Sequence, residues 1–305
     1  MRPGASFIIS IALLVTVGGP LLYAGLGRLR RPKKPPSSTS GWVPSDWRLL
    51  MASTLFYALA FNLIFFIQEL FLVLPKALTP GLSATLFHNN HSWTGDQPLA
   101  RLFQGTGAAA ILLVGITALG WLRRRPPQTT GGRLFLIWVA YHGLFESLPQ
   151  VVVGAFWPPN DVGMAMDYLR FSPFLMQVAA LAALAAIGVA GRWLPGPLLS
   201  LAADPAQVDH PQKRARFIFR VATLPALLAI GLIIPFRLPG SIEQVLIVPV
   251  AVTLIGISWL QASAWRSAAA PRSIVPEAPP IRIPLAALLV LLLFFQLILR
   301  PGISF

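Results

Sequence analysis

Apolar residues fill the chain in long stretches, each closed by a cluster of charge, proline or glycine. A helix needs about 20 mostly apolar residues to cross roughly 30 Å of hydrocarbon. The stretches near 6–27, 49–74, 102–122, 133–157, 171–191, 217–236, 242–262 and 283–299 meet that length. They predict an all-α polytopic transmembrane helix bundle of about eight spans. Pro32, Pro35, Pro36 and the run Ser37-Ser38-Thr39-Ser40 break the pattern as a polar linker. Residues 1–48 therefore read as a membrane helix with its linker, and 49–305 as a seven-helix bundle. The connections near 195–215 and 264–282 are also rich in proline, and no internal repeat of the inverted-transporter kind is visible.

Composition strengthens the membrane reading: 55% of the 305 residues are hydrophobic and only 11% charged. A net charge of +14 would suggest nucleic acid in a soluble protein, so the placement of the charge decides. With alternating spans, Arg28, Arg30, Arg31, Lys33, Lys34 and Arg48 lie on one side. Arg123 to Arg125, Arg133, Arg192, Lys213, Arg214, Arg216, Arg220, Arg266, Arg272 and Arg282 fall on the same side. The other face keeps only Arg2, Lys76, Arg101, Arg170, Arg237 and Arg300. Lys and Arg mark the cytoplasmic side, which predicts a multi-pass protein of the plasma (inner) membrane with both termini extracytoplasmic. The expected partners are the lipid bilayer and another membrane protein, not nucleic acid.

Tryptophans support the span ends, with Trp42, Trp47, Trp121, Trp193 and Trp265 at the basic side and Trp93 and Trp157 at the other. The apolar core Phe7 to Val17 followed by Ala24-Gly25 also fits a signal peptide. The positive run from Arg28 to Lys34 resists translocation and favours a retained helix.

Polar residues inside spans carry the candidate chemistry, because burying an ionisable group in a membrane costs about 3 kcal/mol. Glu69 lies seven residues after Asn62 and seven before Lys76, so Asn62 and Glu69 share a helix face, while Pro75 leaves Lys76 less fixed. His142 and Glu146 are four apart on one face, with Gln150 a further turn on and Pro149 able to free a backbone carbonyl nearby. The segment His88-Asn89-Asn90-His91 follows the second span on the same side. Ionisable groups thus gather within 62–150. Two imidazoles spaced His-x-x-His can chelate one ion, with carboxylates completing an N/O site for zinc or another divalent metal. On that reading His88, His91, His142 and Glu146 are ligands, Glu69 or Glu146 activates water, and the second and fourth spans are neighbours.

A plainer reading has His142 and Glu146 neutralising each other and the His88–His91 segment capping the headgroup region. Three functions remain open: a metal-dependent hydrolase of lipid-linked or membrane-embedded substrate, a transporter or proton pathway through Glu69, His142 and Glu146, and a noncatalytic subunit of a membrane complex. The absence of cysteine removes thiolate metal sites, thiol nucleophiles and disulfides. There is no His-Glu-x-x-His or Gly-x-Ser-x-Gly, and Gly95-Asp96 lacks the context of an intramembrane aspartyl protease. Gly105-Thr106-Gly107 imitates a dinucleotide fingerprint but opens a membrane span; Gly105, Thr106, Ala109 and Ala110 read as a close-packing stripe. Arg220 is placed to snorkel, Glu243 and Gln244 suit a helix start, and His210 reads as a surface residue.

Overall fold

The computed structural model describes residues 4–30, 44–267, 279 and 281–305. In chain order the helices are α1 Ala5–Leu29, α2 Trp47–Ala77, α3 Leu99–Arg124 and α4 Thr130–Phe156, then the short α5 Asp161–Tyr168. They continue as α6 Pro173–Leu199, α7 Pro211–Arg237, α8 Glu243–Ser263 and α9 Arg282–Leu299. All except α5 are long and apolar enough to cross a membrane, so the protein is an all-α polytopic bundle with eight such helices among the described residues. The polar linker expected at 31–43 lies outside them.

Local signals set the helix starts. Thr129 accepts a hydrogen bond from the Gly132 amide before α4, Asn160 from Val162 before α5, and Ser172 from Leu175 before α6. Each side chain satisfies an amide that the first helical turn leaves without a partner.

Burial ranks the helices. The apolar windows of α2 and α4 are 72% and 67% buried within the protein, against 17% for α1 and 22% for α9. The two spans that carry most of the intramembrane polar residues are therefore neighbours at the centre, shielded from lipid. Helix α3 presses on α4 where Gly115 meets Gly143: a Cβ on Gly143 would lie 2.6 Å from the Gly115 Cα and 2.7 Å from the Ile111 carbonyl. Only hydrogen fits there, and the backbones touch.

The expected packing stripe is divided between partners. A Cβ on Gly105 would stand 2.8 Å from that of Ala165 in α5, while one on Gly107 would lie 2.8 Å from the Gln68 carbonyl of α2. Thr106 adds a hydrogen bond of 2.5 Å to the Phe71 carbonyl.

A small sheet, absent from the sequence reading, closes one end of the bundle. Strands β1 Ser83–Leu86 and β2 His91–Thr94 pair antiparallel, and β3 Ile303–Ser304 adds to the other edge of β1. The turn between β1 and β2 is held by the Phe87 amide donating to the Asn90 carbonyl at 2.9 Å. Alternation along β2 puts His91 and Trp93 on the shielded face and Ser92 and Thr94 outside. This sheet end also holds α5 and the α7–α8 connection; the opposite, basic end is where α1 ends, α3 turns into α4, and α6 turns into α7.

Candidate functional site

Glu69 leaves α2 two turns before its end, and β2 brings His91 over it. The His91 Nδ1 is 2.8 Å from Glu69 Oε2 and its Nε2 is 3.0 Å from Gln104 Oε1 of α3. Lys76, fully buried despite its charge, donates from Nζ to that same Gln104 oxygen at 3.1 Å and to the Leu72 carbonyl at 2.5 Å. It also lies 4.9 Å from the centre of the Trp93 ring, which stacks beside His91. The lysine fixes the orientation of the Gln104 amide, oxygen toward both partners. His91 therefore has an oxygen acceptor at each ring nitrogen. A neutral imidazole and a carboxylate supply one proton for two such contacts, so satisfying both at once takes one proton more.

Asp161, the first residue of α5, is electrostatically linked to His91, Glu69 and Lys76. Burial first, and the Glu69 charge in addition, push its carboxyl up to about 6 against the opposing pull of His91 and Lys76.

The second pair lies deeper. His142 Nδ1 is 2.9 Å from Glu146 Oε1, close enough for an ion pair, yet the angle is out of line for a hydrogen bond, leaving that oxygen and that nitrogen unsatisfied in that respect. Both side chains are buried. The imidazole is packed edge-on by Tyr57, Tyr141 and Phe61, with centroids at 4.4, 5.0 and 5.2 Å. Gln150 ties this helix to α2, donating to Gln68 Oε1 at 2.8 Å and to the Glu146 carbonyl at 2.9 Å.

Arg237, 2% exposed at the end of α7, stands within electrostatic reach of both Glu146 and Glu69. Its guanidinium lies 3.4 Å from the Phe65 ring centre and 5.1 Å from that of Phe61, and its Nε and one Nη have no hydrogen-bond partner among the described residues. An arginine keeps its charge under all ordinary conditions. The group thus brings two basic side chains, Arg237 and Lys76, to three carboxyl groups, Glu69, Glu146 and Asp161. Its acidic side chains outnumber its basic ones by one before the imidazoles are counted.

Toward the basic end the polar residues continue in steps. Tyr57 Oη is 2.8 Å from Thr253 Oγ1, and Tyr141 Oη donates to the Thr253 carbonyl at 2.9 Å. Below them Trp138 Nε1 donates to Ser53 Oγ at 3.1 Å, and Arg133 to Ser200 Oγ at 2.9 Å. From Ser53 to Lys76 the α2 rise of about 1.5 Å per residue amounts to about 35 Å, comparable with the hydrocarbon thickness.

The structure unites Glu69 with His91 and His142 with Glu146, but it does not bring His88 to either pair. The His88 Nε2 faces the Pro239 carbonyl at 3.2 Å, and Asn89 donates to the same oxygen at 2.9 Å, fastening this turn to the α7–α8 connection. Burial, reinforced by Arg300 and Arg237, lowers the His88 pKa and so favours the neutral ring, against the pull of the Pro239 carbonyl. The imidazoles of His88, His91 and His142 therefore point at three different partners, and among the described residues no group of three or more His, Asp or Glu side chains is arranged to hold a metal. The histidine spacing describes proximity along the chain, whereas the strand pleat turns His91 one way and the turn sends His88 another. His210 caps α7, its Nδ1 accepting from the Gln212 amide at 3.3 Å.

Lys76, Gln104, Asp161 and Arg237 are site residues that the sequence reading left out of the cluster. Lys76 carried a signal, its heptad spacing from Asn62 and Glu69; Arg237 was visible only as one of the few cations on its side. Gln104 and Asp161 join through tertiary packing alone. No protein-family model, curated protein or solved structure matches the chain.

Proposed function

We propose that this chain is a membrane protein that conducts protons, taking them up at Glu69–His91 and passing them to Glu146–His142. The observation that carries this reading is His91 held between two oxygen acceptors inside a buried group whose carboxyls outnumber its basic side chains by one. With the three carboxyls ionised and both basic side chains charged, a proton added to that group is neutralising, so it enters without the cost of an uncompensated buried charge. Arg237, within electrostatic reach of both carboxyls, couples the two pairs. The hydroxyls of Tyr57, Thr253 and Tyr141 supply the next stations, and the rings of Tyr57, Tyr141 and Trp138 form a tight floor that rearranges for release. In the orientation that positive charge favours, the basic end faces the cytoplasm and uptake occurs from the extracytoplasmic side of the plasma (inner) membrane.

A hydrolase using zinc or another divalent metal at His88, His91, His142 and Glu146 would need those rings to turn toward one ion. Their separate partners favour the proton reading. Purified protein in liposomes carrying an internal pH dye tests it under an imposed pH gradient with a potassium diffusion potential. The expected result is dye response in wild type, lost in Glu69→Gln and in Glu146→Gln. A folded wild type that leaves the gradient unchanged in both orientations overturns the proposal and returns the noncatalytic-subunit reading.

A further inference from the structure

The basic end holds a second built feature, unrelated to the proton group. Helix α1 packs against α4 and α6 through its first half and then leans on α8, where Gly27 accepts the edge of Trp265 and Tyr23 lies 5.6 Å from the same indole. The divergence opens a cleft between α1, α6 and α8. Its cavity of about 430 Å³ is lined by Arg192, Arg266, Tyr23, Trp193, Ser263 and Ser267.

Three observations give this cleft a ligand chemistry. Arg192 and Arg266 line one cavity without a carboxylate partner among the described residues, and the Arg192 guanidinium lies over the Tyr23 ring at 5.3 Å. The buried Ser263 Oγ has no hydrogen-bond partner among the described residues. Ser267 is held in place from behind, donating to the Ser263 carbonyl at 3.0 Å while its own carbonyl accepts from Arg214 at 3.0 Å. Two guanidiniums, a spare hydroxyl and a flanking tryptophan at the end of a bundle match a phosphodiester at headgroup depth. Farther along α1, about 15–20 Å from Tyr23 at 1.5 Å per residue, an apolar groove of about 240 Å³ lined by Ile9, Leu13, Val152, Val153, Leu184 and Ile187 lies between α1, α4 and α6. We propose that the cleft binds the headgroup of an anionic phospholipid from the leaflet at the basic end, with an acyl chain along the α1–α6 seam.

The test uses the full chain, delipidated in detergent, with lipid binding followed by native mass spectrometry. Phosphatidylglycerol is compared with phosphatidylcholine of the same acyl chains and with inorganic phosphate. The wild type should retain phosphatidylglycerol over phosphatidylcholine, and inorganic phosphate should not reproduce its effect on thermal stability. The double variant Arg192→Gln/Arg266→Gln should bind phosphatidylglycerol about 30-fold more weakly, roughly fivefold per guanidinium at a membrane surface. Binding of phosphatidylcholine should not change. Equal retention of the two lipids, unchanged phosphatidylglycerol affinity in the double variant, or stabilisation by inorganic phosphate alone overturns the proposal. If the double variant does not fold, quenching of Trp193 by brominated phosphatidylglycerol decides, isolated by Trp193→Phe: quenching supports the site, and its absence refutes it.

Discussion

At the scale of single residues, the balance between burial and neighbouring charge is most exposed at Asp161. Its folded pKa of about 6 lies above the ordinary value of 3.8, so the native state binds this proton more tightly than the unfolded chain. The stabilisation is complete below the unfolded value and is lost as the pH rises through the folded one. Wild-type stability should therefore fall between about pH 4 and pH 6, by roughly 1–3 kcal/mol from this group. Asp161→Asn should remove that part of the fall, as measured by thermal unfolding in detergent across the range; parallel wild-type and variant profiles would contradict it. Lys76 makes the complementary case. Lys76→Met keeps the stem and deletes the donor that orients Gln104, so the variant should lose the His91–Gln104 contact and lower proton flux at least tenfold, with folding retained. Unchanged flux in a folded Lys76→Met would detach Gln104 from the site.

At the scale of elements, the glycine contact between α3 and α4 sets how closely the site helices approach. Gly143→Val and Gly115→Leu place side chains where the neighbouring backbone stands, and each should destabilise the protein by about 1–3 kcal/mol or more. Gly120→Leu is the control, since a Cβ there meets nothing within 4 Å; equal losses at all three positions would refute the contact. The helices themselves were legible because span length and charge punctuation are local properties of the chain. All eight predicted spans coincide with long helices, the ends differing by a few residues except for α6 and α7, which extend farther at the basic end. The sheet was not legible, since strands of four and two residues leave too short an alternation to register against turn-like Asn89-Asn90. That omission matters, because the pleat of β2 directs His91 onto Glu69. The His142–Glu146 pairing was readable from helical spacing; the separation of His88 from His91 required the strand.

At the scale of the whole molecule, the polar residues of α2 and α4 lie in the best-buried pair of helices, and the cations at the basic end lie where headgroups would meet them. Accessibility labelling of single cysteines placed at 123–125 and at 92 in the otherwise cysteine-free chain should mark the first from the cytoplasm and the second from outside; the reverse pattern would invert the direction of proton uptake. The central claim is that Glu69, Glu146 and Arg237, together with the two imidazoles, hold one exchangeable proton. Infrared difference spectra of the reconstituted protein, cycled between acid and alkaline pH in light and heavy water, read it most directly. Wild type should show a carboxyl or imidazole band that responds to pH and to deuterium, and that band should be altered in Glu69→Gln and in Glu146→Gln alike because the two pairs share the proton. Superimposable spectra from wild type and both variants would contradict the account.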